Sequence, residues 1–203
     1  MKDASEGSLE IPLFPLHTVL LPGGILPLRI FEPRYVDMVS ACMKSDSEFG
    51  VVLISEGEEV GRAASSRMVG TLARITDWQQ GSDGLLNITC LGGERFRVLS
   101  SSVNADQLTT ASVELLPPYS VVPVPEEYNY LEGALPRLQK LLGYPSGEMR
   151  DDAAWLGSRL VEIMPITLDR KQQILQMNDS VDRLARVAAE LDALSRAAGR
   201  ASH

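Results

Sequence analysis

Residues 11–35, IPLFPLHTVLLPGGILPLRIFEPRY, constrain the fold more than any other part of this sequence. Two short apolar runs, IPLFPL and LPLRI, are separated by the turn-forming residues Pro22, Gly23 and Gly24. Short apolar runs bounded by glycine and proline are typical of β-strands. Pro33 suits the first position of a helix, where its missing N–H group costs nothing. The stretch therefore predicts two strands, a turn between them and the start of a helix.

Strand signals continue to about residue 116. Residues 68–78 alternate apolar and polar side chains with a period of two, and residues 79–84 indicate a hairpin turn. The return strand contains Gly92 and Gly93. A glycine pair inside a strand predicts a bulge or a sharp bend, such as a barrel corner.

One helix is predicted to interrupt the strands after Pro33. Its apolar residues Tyr35, Met38, Val39 and Cys42 follow the spacing i, i+3, i+4 and i+7, which forms a single stripe on a helix. We expect this stripe to close one end of the β structure.

The period changes from two to 3.6 after a proline-rich segment, PPYSVVPVP, which predicts an extended connector. Thr167 and residues 178–180 are suitable N-caps for the last two helices. We expect a leader at 1–8, a β domain at 9–116, a connector at 117–125, a helical bundle at 126–198 and a tail at 199–203. The helical stripes are Leu131, Leu135, Leu138 and Leu142; Trp155, Leu156, Leu160 and Ile163; and Val181, Leu184, Ala188, Leu191 and Leu194.

The charge balance limits the classes of partner that this chain is expected to bind. The formal net charge is −8 and the isoelectric point is about 4.8. Binding to a phosphate backbone depends on Lys and Arg, so we expect no nucleic-acid partner. The polar N-terminus lacks the apolar core of a secretory signal, and no apolar run reaches the ~18 residues of a membrane helix. The sequence predicts a cytoplasmic protein with no membrane partner.

The order of these motifs resembles the N-terminal substrate-binding domain of Lon proteases over about residues 9–194. The segments that carry the resemblance are IPLFPL, LPLRIFEPRY, FGVV (49–52), VGTLA (69–73), GERFRV (93–98), KQQIL (171–175) and DRL (182–184). The resemblance implies an α+β fold, in which a small twisted PUA-like β-barrel with one inserted helix precedes a C-terminal α-helical bundle. It also implies polypeptide binding without catalysis. The sequence ends after the matching residues, so we expect a stand-alone domain of this kind.

Nothing in the sequence predicts bond-breaking chemistry or a cofactor. Gly23 and Gly24 are not followed by the Lys and Ser/Thr of a phosphate-binding loop. Lys44 adjoins Ser45 at the end of a helix, but adjacency in sequence is not the geometry of an activated nucleophile. His17 is the one internal histidine, and we expect a surface or hydrogen-bonded loop residue.

Metal binding and thiol chemistry are not predicted either. A zinc site needs about four ligands, and two distant cysteines with one internal histidine do not supply them. Cys42 and Cys90 are expected to be buried reduced thiols. The acidic run of Glu56, Glu58 and Glu59 is expected to be a solvated loop.

We predict two peptide-binding regions from the placement of apolar and aromatic residues. The first is the turn containing Leu20, Leu21, Pro22 and Ile25, which is apolar where polar residues are normal. The alternative is that these leucines fold back into the β domain. Trp78, at the end of a strand, is either a contact residue or part of the hairpin packing.

The second region is a groove between the β domain and the bundle. The aromatic residues predicted there are Tyr119, Tyr128 and Tyr130, because tyrosine combines an apolar ring with a polar tip. The alternative is ordinary packing between the two domains.

A compact motif follows the second strand. Arg29, Glu32 and Arg34 could form a charged surface for a partner, but hydrogen bonds and ion pairs that hold the strand–helix junction are favoured. The residues assigned to this structural motif are Arg29, Phe31, Glu32, Pro33, Arg34 and Tyr35.

The sequence thus predicts a non-catalytic polypeptide-binding module with no cofactor. Its expected partners are unfolded proteins or peptide segments, and its expected role is that of an adaptor or holdase working with a separate protease or chaperone. One alternative is RNA binding, by analogy with PUA-like barrels that bind RNA. A second alternative is a small-molecule hydrolase built around His17.

Overall fold

The computed structural model describes residues 8–134, 140 and 152–201. The chain divides between Pro117 and Pro118 into two compact units. The first contains strands and one helix, and the second is helical in its described part, so the predicted α+β class is confirmed. The domain boundaries proposed from sequence stay predictions.

Six strands form the first unit, and their pairings return to the starting strand. β1 pairs with β3, β3 with β4, β4 with β5, β5 with β6, and β6 again with β1. β2 adds to the free side of β5. The strands are β1 (Ser8–Leu16), β2 (Ile25–Ile30), β3 (Phe49–Glu56), β4 (Ser65–Gln80), β5 (Leu86–Val103) and β6 (Thr109–Leu115). Membership of the PUA-like barrels stays a prediction.

The long strand β5 changes its pairing partner along its length, within one six-stranded sheet. Its first part pairs with β2 and its last part pairs with β6. The register with β4 shifts between the pair Thr71 and Arg95 and the pair Ala73 and Gly92. The irregularity therefore falls at the glycine pair, where sequence predicted a bulge or bend.

Alternation along the strands builds two apolar cores. One lies inside the circuit of strands. The other lies between the opposite face of these strands and the helix that follows β2. The first core contains Ile11, Leu13, Val52, Leu72, Phe96, Val98, Ala111 and Val113. The second contains Phe14, Leu16, Leu20, Ile30, Tyr35, Met38, Val39, Cys42, Phe49, Val51, Ala73, Ile88 and Cys90.

Helix α1 (Pro33–Ser45) begins at Pro33, as predicted. It ends at Asp46, whose left-handed backbone has φ 49° and whose N–H group donates to the Cys42 carbonyl. All four residues of the predicted stripe are buried in the second core. The helix therefore packs on the outer face of the strands.

The second unit contains a 3₁₀ helix (Glu126–Ala134) and helices α2 (Ala153–Ile163), α3 (Leu168–Gln176) and α4 (Ser180–Ala201). Thr167 caps α3 by accepting a hydrogen bond from the Arg170 N–H group, as predicted. Asp179 Oδ1 accepts from the first residues of α4. Of the predicted stripe at residues 131–142, Leu131 lies in the 3₁₀ helix and the other leucines lie outside the described residues. A bundle of three or four helices stays a prediction.

In the described residues, no helix combines the length and the apolar composition that a membrane crossing requires.

Candidate functional site

Trp78 is the most prominent exposed aromatic residue of the first unit, with 56% of its surface accessible. It pairs across the strands with Ile88 of β5, which pairs in turn with Leu28 of β2. Cross-strand partners share a face, so these three side chains lie on the side that α1 covers. Ile88 is buried in the second core. Trp78 therefore lies at the edge of the second core, at a point that helix α1 leaves exposed.

Trp78 is a lining residue of three neighbouring grooves. Groove A has a volume of about 340 Å³, groove B about 180 Å³ and groove C about 370 Å³. Groove A is lined by Ile30, Phe31, Val36, Trp78, Gln80, Gly84, Leu85 and Leu86. Groove B is lined by Cys42, Met43, Asp46, Ser47, Arg74, Ile75, Thr76, Asp77 and Trp78. Groove C is lined by Pro27, Leu28, Arg29, Asp77, Trp78, Gln79, Asn87, Ile88 and Thr89.

Groove A is apolar and lies where β2 turns into helix α1. Phe31 is 53% exposed and Val36 is half-buried on the first turns of the helix. Leu85 and Leu86 come from the hairpin between β4 and β5. An exposed Phe and Trp beside half-buried aliphatic side chains make an apolar surface of the kind that binds other proteins.

Groove B is polar and lies at the C-terminal end of α1. Asp46 ends the helix, and Asp77 immediately precedes Trp78. The Asp77 Oδ1 atom accepts a hydrogen bond of 2.9 Å from the Trp78 backbone N–H group. Burial raises the pKa of the Glu48 carboxyl, and Arg74, which also lines the groove, opposes this rise in part.

Groove C runs along β2, which forms the edge of the sheet among the described residues because it pairs only with β5. The Gly92 N–H group donates to the Gly24 carbonyl. In an antiparallel pair every second residue bonds to the partner strand, so the backbone groups of every second residue from Gly24 onward point towards β5. The backbone groups of Ile25, Pro27 and Arg29 face outward. Pro27 has no backbone N–H group, so it leaves no unpaired donor on this edge.

The strand–helix junction beside groove A is held by a buried ion pair. Arg34 Nη2 lies 3.0 Å from Glu32 Oε2, and Arg34 Nη1 donates to the Gln107 carbonyl at 2.8 Å. Glu32 Oε2 also accepts from the Gly61 N–H group at 3.2 Å. These contacts join two distant loops to the segment that carries Phe31. Arg29 takes no part in them.

Arg29 instead forms an exposed ion pair with Asp83 in the β4–β5 hairpin. The predicted junction motif thus divides into a buried pair that organises the loops and an exposed residue on the edge of groove C.

The structure separates the residues of the predicted apolar turn. Leu20 and Leu21 are 6% and 1% exposed, which matches the alternative that they fold back into the β domain. They do not offer a side-chain surface to a partner. Pro22 is half-buried, and Ile25 is 37% exposed on the edge strand. Of this set, Ile25 is the residue with most side chain available for binding.

The three tyrosines predicted as binding residues lie in the second unit and differ in environment. The Tyr119 hydroxyl donates to the Leu175 carbonyl at 2.9 Å, and its ring packs 3.6 Å from the Arg183 guanidinium. Tyr119 is therefore a packing residue within its unit. Tyr128 is half-buried, and Tyr130 is 60% exposed in the 3₁₀ helix.

Sequence analysis missed Phe31, Val36, Leu85 and Leu86 as surface residues. The sequence predicts Phe31 as part of the structural motif. An available signal was its position before the N-cap Glu32, because an apolar residue there often packs against the residue at N4, here Val36, instead of in the core.

His17 and Ser45, the residues considered as parts of a catalytic site, make contacts through the backbone or within one helix. His17 is exposed, and its backbone N–H group donates to Glu59 Oε1. The Ser45 Oγ atom donates to the Ala41 carbonyl within its own helix. No group of three or more His, Cys, Asp or Glu residues within the described parts of the chain has an arrangement that could hold a metal ion.

Cys90 is expected to be unreactive in the folded protein. Burial raises its pKa to about 12, and burial also raises the pKa of Cys42. At pH 8 the thiolate fraction of a thiol with this pKa is roughly a thousandfold below that of an ordinary cysteine. We expect iodoacetamide to label Cys90 negligibly in the folded chain and rapidly in urea. Mass spectrometry measures the extent of labelling. Labelling of the native chain at the rate of the unfolded chain would contradict this.

Comparison with known proteins gives a consistent set of relatives. The family described as the ATP-dependent protease La (LON) substrate-binding domain matches residues 10–193. The crystal structure of a Lon N-terminal domain protein from Xanthomonas campestris has a TM-score of 0.76 and 38% identity, and the match covers 89% of this chain and 98% of that one.

Two curated relatives are longer proteins. Lon protease from Erwinia amylovora is 27% identical over 199 residues, which cover 92% of this chain and 25% of that protein. Protein cereblon from Xenopus tropicalis is 32% identical over 120 residues, which cover 57% of this chain and 26% of that protein. The chain spans about a quarter of the length of these relatives. Because the family match extends over residues 10–193, the chain belongs to the LON substrate-binding domain family.

Proposed function

We propose that this chain binds non-native polypeptides on the surface of its first unit where the three grooves meet at Trp78. The observation that carries the proposal is that Trp78, 56% exposed, is a lining residue of all three grooves. Exposed aromatic residues with neighbouring apolar depressions contribute most of the binding energy at protein interfaces. The family to which the chain belongs is described as substrate-binding, which supports the same function.

Side-chain recognition is assigned to groove A. Its volume of about 340 Å³ is large enough for one or two apolar side chains, and its walls come from β2, α1 and the β4–β5 hairpin. An unfolded polypeptide exposes apolar side chains that a native protein buries. The groove therefore favours unfolded segments over folded surfaces.

Backbone recognition is assigned to the β2 edge beside groove C. Its outward carbonyl and N–H groups can pair with an extended segment, and such pairing is independent of sequence. Ile25 adds an exposed apolar side chain on this strand. Pro22 and the exposed Tyr130 are further candidates for contact.

Binding without catalysis would suit an adaptor or holdase that presents polypeptides to a separate protease or chaperone, in the cytoplasm. The expected substrates are unfolded proteins. The net charge of −8 disfavours RNA.

Replacing Trp78 by alanine should weaken binding of a reduced, carboxymethylated protein at least tenfold, because the substitution removes the large exposed aromatic side chain beside groove A. Phe31→Ala should weaken it by a smaller factor, since it changes groove A alone. Surface plasmon resonance with the carboxymethylated and the native forms of one protein measures both the affinity and the preference for the unfolded state.

The matched control is Leu99→Ala, which removes an apolar side chain of similar exposure, 51%, from β5 outside the grooves. We expect its affinity to equal that of the natural chain. Equal loss in Trp78→Ala and Leu99→Ala, or equal binding of native and unfolded protein, would exclude the proposed site. Salt-sensitive binding of RNA, or turnover of ester substrates that depends on His17, would favour the alternative functions instead.

A further inference from the structure

We infer that β2 accepts, as an added strand, a polypeptide segment in which apolar and polar side chains alternate with a period of two. This inference rests on the proposed function and names the class of segment that the β2 edge selects. Three features of β2 carry it. They are the regular row of backbone groups on its edge, the different chemistry of its two faces and the proline at its centre.

β2 is the regular edge of a three-stranded wing, which is formed by β2, the first part of β5 and the last part of β4. The pairing of β2 with β5 runs from Ile25 to Ile30 without a register shift. β4 borders the other side of the wing, and its pairing with β5 shifts between Ile75 and Asp77. Such a bulge interrupts the row of backbone groups that an added strand needs. Among the described residues, β2 is therefore the edge of this wing that can accept a strand.

The two faces of β2 differ in burial and in chemistry. One face packs on the second core, and its side chains are half-buried or buried: Leu26, Leu28 and Ile30. The side chains of the other face are exposed: Ile25, Pro27 and Arg29. Pro27 is paired across the strands with Thr89, and Arg29 with Asn87, so this second face continues into polar neighbours on β5. One face of the edge is thus apolar and the other is mainly polar.

An added strand would extend both faces, because residues directly opposite each other on neighbouring strands share a face. Side chains opposite Leu28 and Ile30 would join the apolar face, which continues into groove A through Ile30 and Phe31. Side chains opposite Pro27 and Arg29 would join the polar face. Successive side chains of a strand point to opposite faces. A segment therefore satisfies both faces only when its apolar side chains recur at every second position.

Pro27 favours a foreign segment over a second copy of this chain. Its carbonyl points outward and can accept a hydrogen bond, but it has no N–H group to donate. If two copies paired antiparallel about a twofold axis at this residue, the two prolines would face each other and both carbonyls would stay unpaired. Any other residue at that position of a bound segment donates its N–H group to the Pro27 carbonyl. The edge therefore fits an unfolded polypeptide better than it fits β2 of another copy.

The first test is an N-methylation scan of a fluorescein-labelled peptide in which Leu or Val alternates with Thr between flanking lysines. Each N-methyl group removes one backbone N–H donor. Methylation at residues that pair with the outward carbonyls of β2 should weaken binding about fivefold, and methylation at the residues between them by less than about twofold. Fluorescence anisotropy with the full chain should therefore show a sensitivity that alternates along the peptide.

The second test compares this peptide with an isomer of the same composition whose apolar residues follow the spacing i, i+3, i+4. The isomer should bind about fivefold more weakly, because it places apolar side chains on the polar face of the edge.

On the protein, Ile25→Pro removes an outward N–H group and should weaken binding of the alternating peptide about threefold or more. Arg29→Pro removes the donor at the other end of the edge and replaces Ile25→Pro if that variant is unfolded by circular dichroism. Leu99→Ala, on β5 beyond its pairing with β2, is the matched control and should keep both the affinity and the alternation.

The outcomes separate the inference from the proposed function. Uniform sensitivity to N-methylation, or equal binding of the two isomeric peptides, excludes the added strand, and polypeptide binding still stands if Trp78→Ala weakens it. A dimer in sedimentation that Ile25→Pro dissociates would assign the edge to a second copy and overturn the inference. If neither peptide binds, the inference and the proposed function fail together.

Discussion

Replacing Phe96 by alanine is expected to lower the free energy of unfolding of the first unit by about 3–5 kcal/mol. Phe96 is fully buried in the core inside the circuit of strands. A Cβ atom placed on Gly50 of β3 or on Gly70 of β4 would lie 2.6 Å from its Cζ atom, so these two strands leave room for the ring by having no side chain there. Removing the ring leaves a cavity that these backbones cannot fill.

Urea unfolding followed by fluorescence measures this loss. Trp78 reports on the first unit when the other tryptophan is removed by Trp155→Phe. Leu99→Ala, three residues further along the same strand and 51% exposed, is the control and should change stability by less than about 0.5 kcal/mol. A loss below about 1 kcal/mol for Phe96→Ala would show that the ring is not tightly packed. Phe96→Leu should give a smaller loss.

Replacing Arg34 by methionine is expected to cost about 3 kcal/mol, because it leaves the Glu32 carboxylate without its cation. The side chains of Arg34 and Glu32 are only 5% and 16% exposed, and the Arg34 bond to the Gln107 carbonyl is lost as well. Arg34→Lys should not restore stability fully, since an ammonium group cannot reproduce the planar arrangement that reaches both partners.

The matched control is Arg29→Met, in the same sequence motif. The side chains of Arg29 and Asp83 are 61% and 45% exposed, so water screens their ion pair and the expected loss is at most about 1 kcal/mol. Urea unfolding with the same Trp78 signal compares the two variants. Similar losses for both would mean that the burial of the Arg34 pair does not matter to stability.

The features of the fold that the sequence predicts are those that follow from local periodicity. The period-two run in β4, the apolar stripe of α1 and the irregularity at Gly92 follow from backbone and side-chain geometry within a few residues. Pro33 and Thr167 mark helix starts through their own backbone chemistry. These features depend on neighbours in sequence, so the sequence contains the information directly.

The candidate site depends on contacts between distant segments, which explains why sequence predicted only part of it. Local pattern makes Trp78 a possible contact residue and places Phe31 in the structural motif. It leaves Leu20 and Leu21 either exposed for binding or folded back into the β domain. An apolar residue in a turn can face the core or the solvent with the same local pattern. The fold of the surrounding strands buries both leucines and exposes Phe31.

The sequence by itself determined the α+β class, the order of strands and helices and the resemblance to the family, because each is written in local pattern and motif order. Only the tertiary structure decided which apolar side chains stay exposed. The pairing of β2 with β5 and the end of α1 at Asp46 bring Phe31 and Asp46 near Trp78. Those neighbours are set by the burial of two cores and by strand pairing across the chain, which local propensity does not encode.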